Sequence, residues 1–340
     1  MNWKVDQIEF GEKIGLAESE AVEKYIGRLT SQNLPPILSP EHFSHVTNVK
    51  IESLFAMSNS SESFYRSFFI PKKSGGLRRI DAPLPSLSHV QRSLLDNILQ
   101  FVPLHPSAKA YRVGQSTFDN ARFHRSQKLV LRIDVKNFFG SIEEAEVYKI
   151  FHDLGYSKRI SKLFSMLSCL NGSLPQGAPT SGAISNIFLR DFDEKVFALS
   201  KAKSIRYTRY ADDLTFSGNE IDVAAHIAQV DKHLSALKLW INKAKTKLLP
   251  PHVRQEVTGL VVNKKVAVPN AYRRKLRQEC YFISKFGVHG HAREIHERNP
   301  RSLLERVIGQ LAYVMSIHRN EPYWKHQHAA MLEVRRVEFF

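Results

Sequence analysis

The sequence of 340 residues has little cysteine and no long apolar run. Its two cysteines, Cys169 and Cys280, are too far apart for a CxxC pair and too few for a disulfide framework, which favours a reducing compartment. No stretch approaches the ~18 uninterrupted apolar residues of a membrane span. The N-terminal MNWKVDQIEFGEK carries acidic residues and no apolar core, so we expect neither a signal peptide nor an anchor. A cytoplasmic protein with no membrane partner is the simplest interpretation.

Acidic residues are scarce relative to basic ones. Lys and Arg number 49 against 33 Asp and Glu, which gives a formal net charge of +16. Residues 251–340 hold 16 Lys and Arg against 8 Glu and no Asp, so half of the excess lies in this segment. Such an imbalance favours partners that carry phosphate, nucleic acid first among them, although a merely soluble basic protein fits the charge as well.

Hydrophobic periodicity predicts a mixed α+β chain. A helix over residues 18–29 is followed by a breaker-rich linker, SQNLPPILSP. The β-prone segments Phe64–Ile70 and Leu77–Asp81 flank the basic turn KKSGG and predict a hairpin, whose alternative is a solvated loop. Further helices are predicted over 86–101, from near Glu143, and over 183–199, 222–239 and 266–287.

Carboxylates follow two of the predicted strands. The mostly apolar run Leu129–Val135 carries Asp134 near its end, as expected of a buried strand that delivers one acid to a surface. The short strands Ile205–Tyr210 and Leu214–Ser217 enclose Ala211-Asp212-Asp213, so these acids lie at a hairpin tip. If the two segments are neighbours in one sheet, three carboxylates converge.

Converging carboxylates on rigid strands suit a pair of magnesium ions. Magnesium requires oxygen ligands, and nucleotidyl transfer uses two such ions roughly 3.5–4 Å apart to activate the attacking hydroxyl and steady the departing pyrophosphate. Taken singly, each acid has a simpler explanation, because Asp at a strand end can cap the next helix and Asp pairs are common in turns. The order of several segments together carries more weight than any one acid.

That order resembles the reverse transcriptase family over about residues 64–263. The matching segments are the basic hairpin, the Asp134 strand, Pro175-Gln176-Gly177, Tyr210-Ala211-Asp212-Asp213 and Asn242-Lys243-Ala244-Lys245-Thr246. The resemblance implies an RNA-directed DNA polymerase in which Asp134, Asp212 and Asp213 are catalytic and bind two Mg²⁺ ions, with Asp213 the weaker ligand.

The resemblance also implies a set of nucleotide contacts. Phe139 matches the bulky residue that blocks a ribose 2′-hydroxyl, and Gln176 with Gly177 matches the segment beside the nucleotide and template. Arg78, with Lys72 or Lys73, matches the cations on the triphosphate. Lys245 matches the lysine that stabilises or protonates the leaving pyrophosphate.

Two shorter segments are similar to retron reverse transcriptases, bacterial enzymes that make a small branched RNA-linked DNA. Asn120-Ala121-Arg122-Phe123-His124 fits the NAxxH segment and Val257-Thr258-Gly259 fits the VTG segment. Alone, His124 is more often a core histidine and VTG an ordinary strand tripeptide, but one precedes the Asp134 strand and the other follows Lys245. One departure is Gly182, because retron enzymes most often have proline after the Thr-Ser of PQGAPTS.

This resemblance implies a right-hand polymerase fold of class α+β. We expect an N-terminal helix and linker over 1–40, interleaved fingers and palm over 41–250 with an antiparallel sheet backed by helices, and a mainly helical, basic thumb over 251–340. RNA contacts are expected from Asn120, His124, Thr258, Arg273, Arg274, Lys275 and Arg277, although the basic helix could be a solvated face. His289, His291 and His296 lack the spacing of three metal ligands and are expected to face solvent or RNA.

The implied partners are dNTPs, a structured noncoding RNA of the msr-msd type, its DNA product (msDNA) begun from a guanosine 2′-hydroxyl, a host ribonuclease H and a separate retron effector in phage defence. Two alternatives remain open at this point. One is another bacterial reverse transcriptase of the intron, diversity-generating or phage-abortive type. The other is a catalytically dead polymerase fold that binds RNA.

Overall fold

The structure, a computed structural model, describes residues 20–72 and 75–339. The chain divides into two units. The first consists of residues up to Gln115 with Arg132–Thr215 and Asp222–Lys247, and the second of Ser116–Leu131, Phe216–Ile221 and the chain from Leu248 onward. The sequence indicated a boundary near residue 250, but not that the two short earlier segments belong with the C-terminal one.

The helices and strands are numbered along the chain. The helices are α1 (Glu20–Thr30), α2 (Pro40–Thr47), α3 (Ile51–Asn59), α4 (Pro85–Asn97), α5 (Thr117–Phe123), α6 (Glu144–Asp153), α7 (Lys158–Ser168), α8 (Ser181–Phe188), α9 (Arg190–Ala202), α10 (Val223–Ser235), α11 (Asn270–Glu294), α12 (Pro300–Ile317) and α13 (Pro322–Phe339). The strands are β1 (Tyr65–Pro71), β2 (Leu77–Pro83), β3 (Leu129–Asp134), β4 (Arg206–Tyr210), β5 (Asp213–Gly218), β6 (Lys247–Leu249), β7 (Glu256–Val257) and β8 (Leu260–Val261).

The segment between α1 and α2 is packed into the first unit. Leu34 is 3% exposed and Ile37 0%. The Tyr156 hydroxyl donates a hydrogen bond of 3.0 Å to the Pro35 carbonyl. The segment has neither helix nor strand, and its apolar side chains are part of the core.

The basic hairpin is confirmed. Strands β1 and β2 pair antiparallel, with Tyr65 opposite Pro83 and Pro71 opposite Leu77. Gly75 and Gly76 both have positive φ, the conformation that glycine adopts most readily in a tight turn. The turn residues Lys73 and Ser74 lie outside the described residues.

A four-stranded sheet carries both acidic segments, in the order β4-β5-β3-β6. The two-residue connection between β4 and β5 requires them to run antiparallel. Val130, Leu131 and Ile133 of β3 are 0% exposed, so this strand is buried on both faces as its apolar run predicted. Since β3 and β5 are neighbours, Asp134 and the Asp212 turn belong to one sheet.

Three predicted helices differ in their bounds. The helix predicted over 183–199 is two helices, because the fully buried Leu189 leaves helical geometry between α8 and α9. The helix predicted over 222–239 ends at Ser235, since Lys238 turns the chain with φ +56° and buries Leu239. Helix α11 begins only at Asn270, because Ala267 is still paired with Val261, and it bends at Gly287 (φ +70°).

The second unit has its own core around α11, α12 and α13. Buried residues of that core include Leu276, Cys280, Ile283, Leu303, Leu304, Val307, Leu311, Trp324 and Met331. Ala121 of α5 and Val257 of β7 belong to the same core. None of the described helices combines the length and the apolarity needed to cross a membrane.

Candidate active site

A cavity of about 670 Å³ lies in the first unit, at the end of β3. The predicted site residues that line it are Lys72, Arg78, Asp134, Phe139, Gln176, Asp212 and Lys245. Asp213 is not among the lining residues, and Lys73 lies outside the described part of the chain. Segments separated by more than a hundred residues of sequence thus meet around one space.

Asp134 is held by two side chains from the segment that precedes β6. The Lys245 ammonium donates to both carboxylate oxygens, at 2.8 and 3.2 Å, and the Asn242 side-chain amide donates to Oδ2 at 3.0 Å. The Asn242 backbone N–H also bonds the Asp134 carbonyl at 2.7 Å, so the two segments run side by side. Asn242 had no assigned role in the sequence, although it stands in the segment that carries Lys245.

The turn between β4 and β5 places Asp212 beside Asp134. The Val135 N–H donates to the Asp212 carbonyl at 3.0 Å. Ala211 has φ +57°, a left-handed conformation that is uncommon for residues other than glycine. Asp213 begins β5, where its carboxylate is 3.6 Å from the Arg132 guanidinium.

The electrostatics of this turn favour a cation. Burial, and then the neighbouring charges of Asp213 and Asp134, raise the pKa of Asp212 to about 6 from its ordinary 3.8. Burial also raises the pKa of Asp213, although Arg132 opposes that shift. A carboxylate whose charged form is disfavoured by its neighbours is stabilised when a positive ion approaches.

Within residues 20–72 and 75–339, no group of three or more His, Cys, Asp or Glu side chains is arranged to hold a metal ion unaided. The donor set nevertheless fits a hard divalent cation, because Asp134 and Asp212, whose side chains are carboxylates, both line the cavity. Magnesium is commonly bound by one or two carboxylates together with substrate phosphates rather than by an all-protein cage. Asp213, which is outside the lining and next to Arg132, fits a supporting role.

The Pro175-Gln176-Gly177 segment docks on the basic hairpin. The Asp81 N–H donates to the Gln176 carbonyl at 2.9 Å. Gly177 has φ +139°, and a Cβ there would lie 2.6 Å from the Asp81 carbonyl oxygen. Glycine is therefore required at 177 by the close approach of two backbones, which fixes Gln176 at the cavity wall.

Two aromatic residues of the cavity, Tyr111 and Phe138, were missed by the sequence reasoning. Tyr111 lines the space, and its ring centroid is 6.2 Å from that of Phe139. The segment AYRVGQS around it shows no periodicity that would have drawn attention to it.

A buried ion pair behind the turn was also missed. The Arg209 guanidinium and the Asp193 carboxylate are both 0% exposed and 2.6 Å apart. Arg209 further donates to the Asn186 side-chain oxygen at 3.0 Å and to the Ala211 carbonyl at 3.2 Å, and the Tyr207 hydroxyl donates to Asp193 at 2.7 Å. This network holds the peptide unit that leads into Asp212.

The two retron-like segments meet each other in the second unit. The Thr258 hydroxyl donates to the Thr117 carbonyl at the start of α5, at 3.1 Å. Asn120 and His124 are 0% exposed, and a ring nitrogen of His124 is 2.7 Å from the Ser217 hydroxyl. The expectation that Asn120 and His124 touch RNA is corrected, because their side chains belong to the interior of this unit.

The basic residues of α11 have different environments. Arg274, Lys275 and Arg277 are exposed, and the Arg277 guanidinium also stacks over Trp324 at 4.9 Å. Arg273 is half-buried and 3.9 Å from Glu321. Of the three histidines expected to face solvent or RNA, His291 is instead buried and bonded to Glu279 at 3.0 Å. That expectation was wrong for His291.

The chain belongs to the reverse transcriptase (RNA-dependent DNA polymerase) family, whose family model matches residues 70–263. It is an RNA-directed DNA polymerase with the right-hand fold, as predicted, and within the family it is a retron reverse transcriptase. The retron Ec86 reverse transcriptase of Escherichia coli is 29% identical over 294 residues, 85% of this chain and 88% of that protein. The retron Mx162 reverse transcriptase of Myxococcus xanthus is 29% identical over 340 residues, 90% of this chain and 69% of that protein.

A telomerase structure from Candida albicans has a TM-score of 0.45 and 12% identity, over 78% of this chain and 60% of that one. A likeness at that level adds nothing to the assignment.

Neutralising Asp212 is expected to stabilise the folded chain at neutral pH. Its pKa is about 6 when folded and near 3.8 when unfolded, so its charge costs stability above pH 6 and this cost disappears as pH falls toward 3.8. Asp212→Asn should therefore raise the free energy of unfolding by roughly 1–3 kcal/mol at pH 7.5. Urea unfolding in a chelator between pH 4.5 and 8 measures this, and a difference that does not shrink toward pH 4.5 contradicts it.

Proposed function

We propose that this reverse transcriptase recognises its own structured noncoding RNA, starts DNA synthesis from a guanosine 2′-hydroxyl and produces branched RNA-linked single-stranded DNA (msDNA) with Mg²⁺ as cofactor. The observation that carries the proposal is the meeting of Asp134 and Asp212 with cationic side chains around one cavity. The similarity to retron reverse transcriptases supports the branched product.

Asp134 and Asp212 are the residues that would hold Mg²⁺, with Asp213 contributing negative charge beside them. Bound as a pair, the ions would activate the attacking hydroxyl and stabilise charge on the leaving pyrophosphate. The Asn242 amide, by bonding one oxygen of Asp134, orients that carboxylate. A positioned carboxylate costs less reorganisation when it takes up its ligand.

The remaining cavity residues fit the binding of a deoxynucleoside triphosphate. Lys72 and Arg78 of the basic hairpin, with Lys73, would pair with the triphosphate, and a guanidinium can do so with two parallel hydrogen bonds. Lys245 would neutralise charge that develops on the pyrophosphate. Phe139 would exclude a 2′-hydroxyl by its bulk, and Gln176 would pack beside the base.

The proposal places RNA recognition on the second unit. Arg274 and Lys275 are exposed on α11 and suit contacts with RNA phosphates, with Arg273 and Arg277 beside them. Asn120, His124 and Thr258 would act by holding α5 and the β7–β8 turn in place. The proposed partners are the noncoding RNA, its DNA product, a host ribonuclease H and a separate effector in phage defence, all in the cytoplasm, where the buried thiols of Cys169 and Cys280 would stay reduced.

The branched product provides the test. The chain is to be expressed together with the noncoding region next to its gene, and small DNA extracted. We expect a DNA whose electrophoretic mobility increases after ribonuclease treatment, because the linked RNA is removed. The Asp212→Asn variant, expressed in parallel, should yield none.

Two results would overturn different parts of the proposal. DNA synthesis on RNA templates without any RNA-linked product would contradict the retron-type reaction and favour another bacterial reverse transcriptase. RNA binding without any DNA synthesis would contradict the polymerase assignment itself.

A further inference from the structure

Tyr111 is fixed in an unusual conformation at the cavity wall. Its φ is +54°, which is uncommon for an aromatic residue and is maintained only where the surroundings enforce it. The preceding residues are held against β4, because the Arg209 N–H bonds the Ser107 carbonyl and the Lys109 N–H bonds the Arg209 carbonyl, both at 2.8 Å. The Asn186 side chain of α8 bonds the Ala110 carbonyl, also at 2.8 Å. The backbone that precedes Tyr111 thus has little conformational freedom.

The Tyr111 ring lies directly on Gly182 of α8. A Cβ at position 182 would be 2.6 Å from ring atom Cδ1 and closer still to Cγ, a separation that real side chains do not show. Gly182 does not have the positive φ that would require glycine for the backbone. The absence of a side chain at 182 therefore makes room for the Tyr111 ring.

The ring also lies at the cavity wall beside Phe139. It stands tilted at 55° to Phe139 with 6.2 Å between centroids, and it shares the lining with Gln176 and Asp212. Burial and then the charge of Asp212 raise the pKa of the Tyr111 hydroxyl, so this group is neutral at working pH. What the residue offers a substrate is chiefly an aromatic surface.

We propose that Tyr111 is a second specificity-determining residue, whose ring, seated on Gly182, forms with Phe139 the wall that packs against the sugar of the incoming nucleotide. The inference rests on the proposed function of the cavity. Two rings that support one another define a narrower space than Phe139 alone, and a rigid wall discriminates sugars by excluding the additional hydroxyl. Alanine at 182 must displace the Tyr111 ring. Substitutions at 111 and at 182 should therefore change the same property, the preference for dNTPs over rNTPs.

The test is single-nucleotide incorporation on an RNA template, with KM and kcat measured for a dNTP and the matching rNTP. Tyr111→Ala is expected to lower the preference for the dNTP roughly tenfold, mainly by lowering KM for the rNTP, because the additional hydroxyl is no longer excluded. Gly182→Ala should act in the same direction, and the double variant should equal Tyr111→Ala alone, because the ring through which position 182 acts is gone. Tyr111→Phe, which keeps the ring, should keep the wild-type ratio of dNTP to rNTP incorporation. Phe139→Val shows how much of that ratio is lost when the other ring is removed.

Gly27→Ala is the matched glycine control, since nothing lies within 4 Å of a Cβ at 27, and it should leave both kinetic constants unchanged. Unchanged nucleotide preference in Tyr111→Ala overturns the inference while the proposed function stands. Additive effects of Tyr111→Ala and Gly182→Ala also overturn it, because Gly182 would then act through something other than the ring. A wild-type protein that incorporates no dNTP overturns both the inference and the proposed function.

Discussion

The Asp212→Asn variant is expected to lose at least about 1,000-fold of the rate of DNA synthesis, roughly 4 kcal/mol in the activation free energy. An amide oxygen is a neutral and weaker ligand for magnesium than a carboxylate, and the substitution removes the charge that the ion would neutralise. The side chain is otherwise the same size, so the cavity keeps its shape. Incorporation of labelled dNTP by purified protein on a primed RNA template measures the effect.

A matched control separates chemistry from general damage. Asp191→Asn neutralises a carboxylate whose side chain is 83% exposed on α9, and it should synthesise DNA at the wild-type rate. RNA binding by Asp212→Asn should be unchanged in a filter or gel-shift assay. Continued DNA synthesis by Asp212→Asn would contradict the assignment of Asp212 as a metal ligand.

Removing Asp193 is expected to destabilise the first unit strongly. In Asp193→Ala the Arg209 guanidinium stays buried without its carboxylate partner, and the Tyr207 hydroxyl loses its acceptor. Breaking one side of a fully buried ion pair costs about 3–5 kcal/mol in the free energy of unfolding. Urea or thermal unfolding should show this loss, whereas Asp191→Ala, at an exposed site on the same helix, should change stability by less than about 0.5 kcal/mol.

The paired replacement Asp193→Leu with Arg209→Met tests the reason for the loss. Apolar side chains of similar volume leave no uncompensated charge, so the double variant should recover much of the stability lost in Asp193→Ala. It also lacks the hydrogen bond from Arg209 to the Ala211 carbonyl, so DNA synthesis should stay impaired although the chain folds. Recovery of both stability and full activity would contradict the role of Arg209 in holding the Asp212 turn.

Local sequence patterns predicted those parts of the site whose structure is determined by a few consecutive residues. The apolar run ending at Asp134 and the two strands around Asp212 are properties of a few consecutive residues, and the sheet order β4-β5-β3-β6 brings them together. The basic hairpin could likewise be predicted, from two β-prone segments with turn-forming residues between them. The resemblance to the reverse transcriptase family then explained why these segments occur in this order.

Contacts between residues that are far apart in the sequence could not be predicted from those patterns. Arg209 is a charged residue in a strand, and only its pairing with Asp193 on α9 explains why it is buried. Tyr111 and Gly182 are separated by 71 positions, and no pattern in either segment indicates that a ring rests on a glycine. His124 was expected to contact RNA because its motif resembles a functional one, but its position is explained by the Ser217 hydroxyl at 2.7 Å.

The most direct test of the central claim is RNA-templated DNA synthesis by the wild-type chain as a function of magnesium. The purified protein, treated with a chelator and supplied with a primed RNA template and dNTPs, should make no DNA until Mg²⁺ is added. Product should then accumulate with dNTPs and only weakly with rNTPs. Equal synthesis in the chelator, or no DNA synthesis at any Mg²⁺ concentration, would contradict a metal-dependent polymerase site built on Asp134 and Asp212.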